Sequence, residues 1–191
     1  MSAIAQLLLG ETLFVGRLKK RDLCAAFLCF TRGCTWARED VFFYAAWCLE
    51  RGHGVAVNED RARQFYELSA NNEFPLAQAW CALHGVRGFE EFEPDILETY
   101  QEETLDESTI CERLFRPFLL GEAHENGLFG LESDMDAAIT CYRVAAARGL
   151  VDAEQRLVAL HADSSALKLS VANVACVTAP VDAIDISELR L

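Results

Sequence analysis

The side chains of this chain with the capacity for chemistry are four histidines, eight cysteines, three tryptophans and a dense run of carboxylates. Each implies a different activity. His53, His84 and His124 fall near comparable ends of successive segments, where imidazoles could line a metal-binding or acid–base edge. The cysteines could build a disulfide framework or a zinc site. No C-x-x-C pair occurs, which argues against zinc or a redox motif. Between residues 90 and 112 there are ten acidic side chains and no basic one. That density suits docking of a basic partner or a solvated face. Trp47 and Trp80 offer apolar area of the kind enriched where proteins touch. No Gly-rich phosphate loop, Ser-His-Asp set or paired-carboxylate pocket stands out, so the reading points away from an enzyme.

The element that must position these residues is a helical hairpin. Residues 46–70, AWCLERGHGVAVNEDRARQFYELSA, read as two short helices joined by a tight turn. Gly52 and Gly54 supply the positive φ that stops one helix and reverses the chain. Asn58 is the expected N-cap of the second helix, with Glu59 and Asp60 favouring its dipole. One hairpin of this size cannot bury its own apolar face, so copies are required.

They are present. The turn glycine recurs at Gly16, Gly52, Gly85 and Gly127, with spacings of 36, 33 and 42 residues. Six positions earlier stand Gly10, Ala46, Ala79 and Gly121. Ten or eleven positions later come Ala26, Ala62, Ile96 and Ala138, expected at the hairpin core. Four further lie the aromatics Phe30, Tyr66, Tyr100 and Tyr142, followed by Cys34, Ala70, Thr104 and Ala146. The pattern predicts nine helices, over about 3–15, 19–34, 39–51, 58–72, 75–84, 94–104, 107–126, 134–148 and 151–162. The last lacks its mate and is expected to cap the array.

These residues resemble the Sel-one-like repeat, a relative of the tetratricopeptide repeat. The second copy carries Ala46, Gly52, Gly54, Val55, Asn58, Ala62, Phe65, Tyr66 and Ala70. The fourth carries Gly121, Gly127, Gly130, Asp134, Ala138, Tyr142, Ala145, Ala146 and Gly149. The first and third copies are degenerate, and Phe92 stands where an Asp would cap the third copy's second helix. The resemblance covers roughly residues 5–162. It implies an all-α, right-handed α-solenoid of about four helix-turn-helix repeats with a capping helix. It also implies an adaptor function, with the first helices lining a concave groove. An inhibitor or immunity-type protein that blocks one enzyme is an alternative, and an enzyme or enzyme accessory with an unrecognised pocket is a second.

Composition bounds the partner. Hydrophobic content of 52% with 25% charged residues indicates a folded chain. A formal charge of −13 disfavours nucleic acid. No apolar run approaches the ~20 residues of a membrane span, and the N-terminus lacks the basic residue of a secretory signal. Cys48 and Cys81 share a column, and stacked helices lie roughly 8–10 Å apart, beyond disulfide reach. All eight cysteines are therefore expected to be reduced, in a cytoplasmic setting.

Trp47 and Trp80 lie five positions before their turn glycines, where Glu11 and Glu122 stand in the other copies. A column that accepts glutamate twice is expected to be partly exposed. The expected partner-binding residues are Phe43, Trp47, Trp80, His84 and Glu122, with Glu91, Glu98 and Glu102 on the acidic stretch. They would meet a basic or apolar, helical or extended protein segment. No cofactor or metal is expected. Residues 1–162 form the repeat domain. Residues 163–191 carry no repeat column, and their apolar first half (ALKLSVANVACV) is expected to pack back on the solenoid.

Overall fold

A computed structural model describes residues 3–16, 20–34, 38–89 and 110–161, together with Phe92 and Leu97. Among the described residues there are eight helices and no strand, the all-α class expected. They are α1 (Ala3–Val15), α2 (Leu23–Gly33), α3 (Glu39–Arg51), α4 (Glu59–Asn71), α5 (Pro75–Leu83), α6 (Ile110–Asn126), α7 (Met135–Ala147) and α8 (Val151–His161). Of the expected helix over 94–104 only Leu97, helical and buried, is described, and the segment 163–191 lies outside the described residues. No described helix is long and apolar enough to cross a membrane.

The helix ends follow the predicted capping chemistry. Asn58 Oδ1 accepts from the Arg61 amide at 3.0 Å, and Asp134 Oδ1 accepts from Asp136 and Ala137, each at 3.0 Å. Asp22 does the same for Ala25 at 2.9 Å. That cap starts α2 at Leu23, four residues later than the sequence pattern suggests. Gly52 closes α3 in the left-handed region at φ 73°. Gly54 (φ 78°) has a second constraint: a Cβ there would lie 2.2 Å from the Leu23 carbonyl oxygen. Only glycine lets the turn approach the start of α2 that closely.

The chain divides into two compact units, the first ending at Cys81 and the second beginning at Ala82. In the first, α1 packs on α2, α2 on α3 and α3 on α4. The small and aromatic columns are one contact seen from two sides. A Cβ at Gly10 would sit 2.5 Å from the Phe30 ring, so the missing side chain is the seat of the aromatic. Phe30 stacks in turn on Tyr44, centroids 4.4 Å apart. Helix α3 runs through the middle, with every residue from Asp40 to Leu49 buried. A helix apolar around most of its circumference belongs in such a place.

The second unit repeats the device. α6 packs on α7 and α7 on α8. A Cβ at Gly121 would meet the Tyr142 ring at 2.6 Å. Ala138 is fully buried, as Ala26 and Ala62 are in the first unit. Pro117 lies inside α6 and cannot donate to the Arg113 carbonyl one turn back. Arg148, just after α7, supplies the replacement: its Nη1 donates to that carbonyl at 2.9 Å.

Candidate partner-binding site

The first unit brings together three of the residues expected to bind a partner, but it brings them together inside. Phe43 is flanked by Trp47 at 6.1 Å, Tyr66 at 5.4 Å and Phe74 at 5.6 Å between ring centroids. Tyr66 stacks on Trp80 at 3.7 Å and 17°. Trp47 and Trp80 are only 0% and 4% exposed, so the expectation of partial exposure is corrected. The Arg51 guanidinium lies 4.9 Å above the Trp47 ring, a cation–π contact on the core's edge.

Glutamate in this column does not mark an exposed position. Glu11, in the same column as Trp47, is itself 2% exposed. Its Oε1 accepts from the Tyr44 hydroxyl at 3.0 Å. A buried carboxylate is tolerated when hydrogen-bonded, and the donor comes from the next repeat. The column is an inward position that takes either an indole or a paired carboxylate. The sequence signal for this was a tyrosine at position 44, eight before its turn glycine.

Tyrosine–glutamate pairs also lock the hairpins internally. Tyr66 donates to Glu50 Oε2 and Tyr142 to Glu125 Oε2, each at 2.8 Å. Both glutamates stand two positions before a turn glycine. In the first copy the aromatic is Phe30, and the residue two before Gly16 is Phe14. These two make an edge contact at 6.2 Å. A hydroxyl is thus matched by a carboxylate and a bare ring by a ring. Burial, aided by the Glu125 hydrogen bond, pushes the Tyr142 phenol well above its ordinary range. Arg156 also reaches Glu125, through Nε at 3.0 Å and through Nη2. Its own pKa is raised by that contact.

In the second unit His84 is exposed and Glu122 half-buried. Glu91, Glu98 and Glu102 lie outside the described residues. The histidines do not gather. His53 is buried with its ring edge-on to Phe14 at 5.8 Å, and His124 is half-buried in α6. His124 borders a cleft of about 440 Å³ with Glu132, Ser133 and Asp136. Among the described residues no three His, Cys, Asp or Glu side chains are placed to hold a metal ion.

The thiols behave as small apolar groups. Cys29, Cys34, Cys48, Cys81 and Cys141 are free, all but Cys141 buried. Burial pushes Cys34 and Cys81 up to about 12, far from the thiolate that reactivity needs. Cys24 departs from expectation: it is disulfide-bonded. Cys48 and Cys81, which share a repeat column, are both free. Cys24 sits half-exposed in the first turn of α2, where no stacked column restricts it.

The family model of the Sel1 repeat matches residues 3–35, 41–74 and 118–150, just over half of the chain. The stretch around Gly85, with its missing cap at Phe92, is not among the matches. No curated protein sequence matches the chain. Among solved structures, it is similar to a protective antigen of uropathogenic Escherichia coli strains displaying an SLR fold. That likeness has 20% identity, a TM-score of 0.42, and covers 86% of this chain and 35% of the antigen. A Sel1 repeat protein from Oxalobacter formigenes is similar at 17% identity and a TM-score of 0.43, over 84% of this chain and 64% of that one. The chain therefore spans 35% and 64% of the lengths of these two proteins.

Proposed function

Because the chain belongs to the Sel1 repeat family, whose members generally serve as protein–protein interaction scaffolds, we propose that it is a non-catalytic adaptor holding a segment of a protein partner. The observation that supports this reading most directly is the threefold repeat match. Phe43, Trp47 and Trp80 take the role of rigid support, since their burial keeps them from touching a partner. Exposed His84 and half-buried Glu122 take the role of contacts. Glu91, Glu98 and Glu102 stay in the proposal on their charge, which suits a segment carrying basic and apolar side chains. Five free thiols favour a reducing, cytoplasmic setting, and the Cys24 disulfide weighs against it. Peptide mapping of the native protein, alkylated without reduction, decides between them.

Capture from native lysate, followed by titration of the purified partner, tests the contact. The parent chain is compared with a His84→Ala/Glu122→Gln variant of unchanged helicity and melting temperature. A loss of about tenfold in affinity, roughly 1.4 kcal/mol, is the expected result. Equal affinity would remove both residues from the contact, and failure to recover any partner would remove the adaptor reading. Turnover of a substrate by the purified chain would overturn its non-catalytic part.

A further inference from the structure

Cys24 is disulfide-bonded, and the choice of its partner narrows by elimination. Of the eight cysteines in the chain, Cys29, Cys34, Cys48, Cys81 and Cys141 are free. Cys111 and Cys176 remain. Cys111 stands in the first turn of α6, in the second compact unit, whereas Cys24 belongs to the first. Cys176 comes on the run ALKLSVANVACV, residues 166–177, whose one charged side chain is Lys168. A solvated segment is normally rich in charge, so this run calls for an apolar surface to lie on.

Helix α2 supplies one beside Cys24. Cys24 and Leu28, four residues apart, share a face. Phe30 turns to Gly10 of α1, and Gly33 to α3, where a Cβ would lie 2.8 Å from the Val41 side chain. By helical geometry Cys24 lies about 180° around from Gly33 and about 120° from Phe30, and Leu28 about 140° and 160°. The Cys24–Leu28 face therefore points away from both neighbouring helices. Leu28 is 43% exposed, and Thr31 beside it spends its hydroxyl on the Leu28 carbonyl at 3.1 Å. A lone exposed leucine is ordinary. One turn from a bonded cysteine, it is the first apolar surface that the segment carrying the other sulfur meets. The fifteen residues from His161 to Cys176 reach up to about 50 Å, roughly five helix-packing distances.

We propose that Cys176 is the partner of Cys24, and that their bond seats residues 166–177 along the Cys24–Leu28 face of α2 as a redox-controlled tether. Forming the bond removes two electrons and two protons from the two thiols. A low-molecular-weight disulfide takes them up and leaves as two thiols. Excess thiol reverses the exchange through a mixed disulfide. Cys29, Cys34, Cys48 and Cys81 stay out of it because they are buried.

Equilibration of the full chain with a graded series of glutathione and its disulfide, followed by acid quench, alkylation and peptide mapping without reduction, tests the pairing. One crosslinked peptide pair holding Cys24 and Cys176 is expected, its fraction rising with the disulfide-to-thiol ratio. A Cys24–Cys111 crosslink overturns the proposal, as does a Cys24 that is alkylated at every ratio. Hydrogen exchange over residues 166–177 tests the seat. The oxidised chain should exchange there about tenfold more slowly than the reduced chain or a Cys176→Ser variant, the ratio that a tenfold shift in the docking equilibrium produces. Leu28→Glu, solvent-facing and checked for unchanged helicity, should remove most of that difference. It should also lower the equilibrium constant for the crosslink by about tenfold, because the apolar seat no longer holds the two sulfurs together. Equal exchange in the oxidised and reduced chains overturns the seat, and so does a Leu28→Glu chain that matches the parent in either readout.

Discussion

The carbonyl left open by Pro117 gives a sharp test of how the second unit holds together. Proline removes the amide that would bond to Arg113, and Arg148 Nη1 occupies that carbonyl at 2.9 Å from the end of α7. The contact ties α6 to α7 across 35 residues of sequence. Arg148→Met keeps most of the aliphatic stem and removes the donor. A hydrogen bond from a charged donor contributes about 1.5–3 kcal/mol, and partial burial of this pair places the loss near the low end. In a chain of this size 1 kcal/mol moves the melting temperature by about 2–4 °C. Pro117→Ala restores the helical amide and gives the carbonyl a second source of hydrogen bonding. In that background Arg148→Met should cost about 1 kcal/mol less. Urea and thermal unfolding of the four proteins supply the cycle. A coupling within about 0.3–0.5 kcal/mol of zero is what independent sites show, and it would refute the reasoning. Pro117→Ala alone does not decide the matter, because its helix-propensity gain acts whether or not Arg148 is engaged.

Three further outcomes are expected. Gly54→Ala places a Cβ 2.2 Å from the Leu23 carbonyl oxygen at φ 78°, so it should cost about 2–4 kcal/mol by strain and backbone displacement; unfolding at the parent's urea midpoint would contradict the close approach. Ala138→Phe overfills the fully buried seat between α6 and α7 and should cost about 1–3 kcal/mol; an unchanged melting curve would mean the repeat columns are misaligned. Alkaline pH should destabilise the fold. Cys34 and Cys81 rise from 9.0 to about 12 on burial, so the native state keeps protons that the unfolded chain releases. Their contribution is whole below pH 9 and is lost as pH climbs toward 12. Each thiol adds a slope of up to about 1.4 kcal/mol per pH unit. Cys34→Ala and Cys81→Ala should each flatten stability between pH 9 and 11, and a parent curve level over that range would exclude the effect.

The repeat, the caps and the hairpin core were legible in the sequence because they arise from contacts close along the chain. Gly10 and Phe30, or Gly121 and Tyr142, sit within one hairpin, so the same geometry selects the same residue types in each copy. Asn58 and Asp134 cap amides two or three residues away, and a glycine at positive φ needs no partner at all. The inward or outward sense of the tryptophan column was different. It depends on what the adjacent repeat presents: Tyr44 reaches Glu11 across 33 residues, and Tyr66 covers Trp80 from a neighbouring hairpin. A glutamate reads as surface by type, and only a donor delivered by another helix makes its burial tolerable. Helix α1 follows the same logic: its apolar composition was visible in the sequence, but that Ile4 and Leu8 stay 56% and 52% exposed was decided when its other sides met α2 and α3.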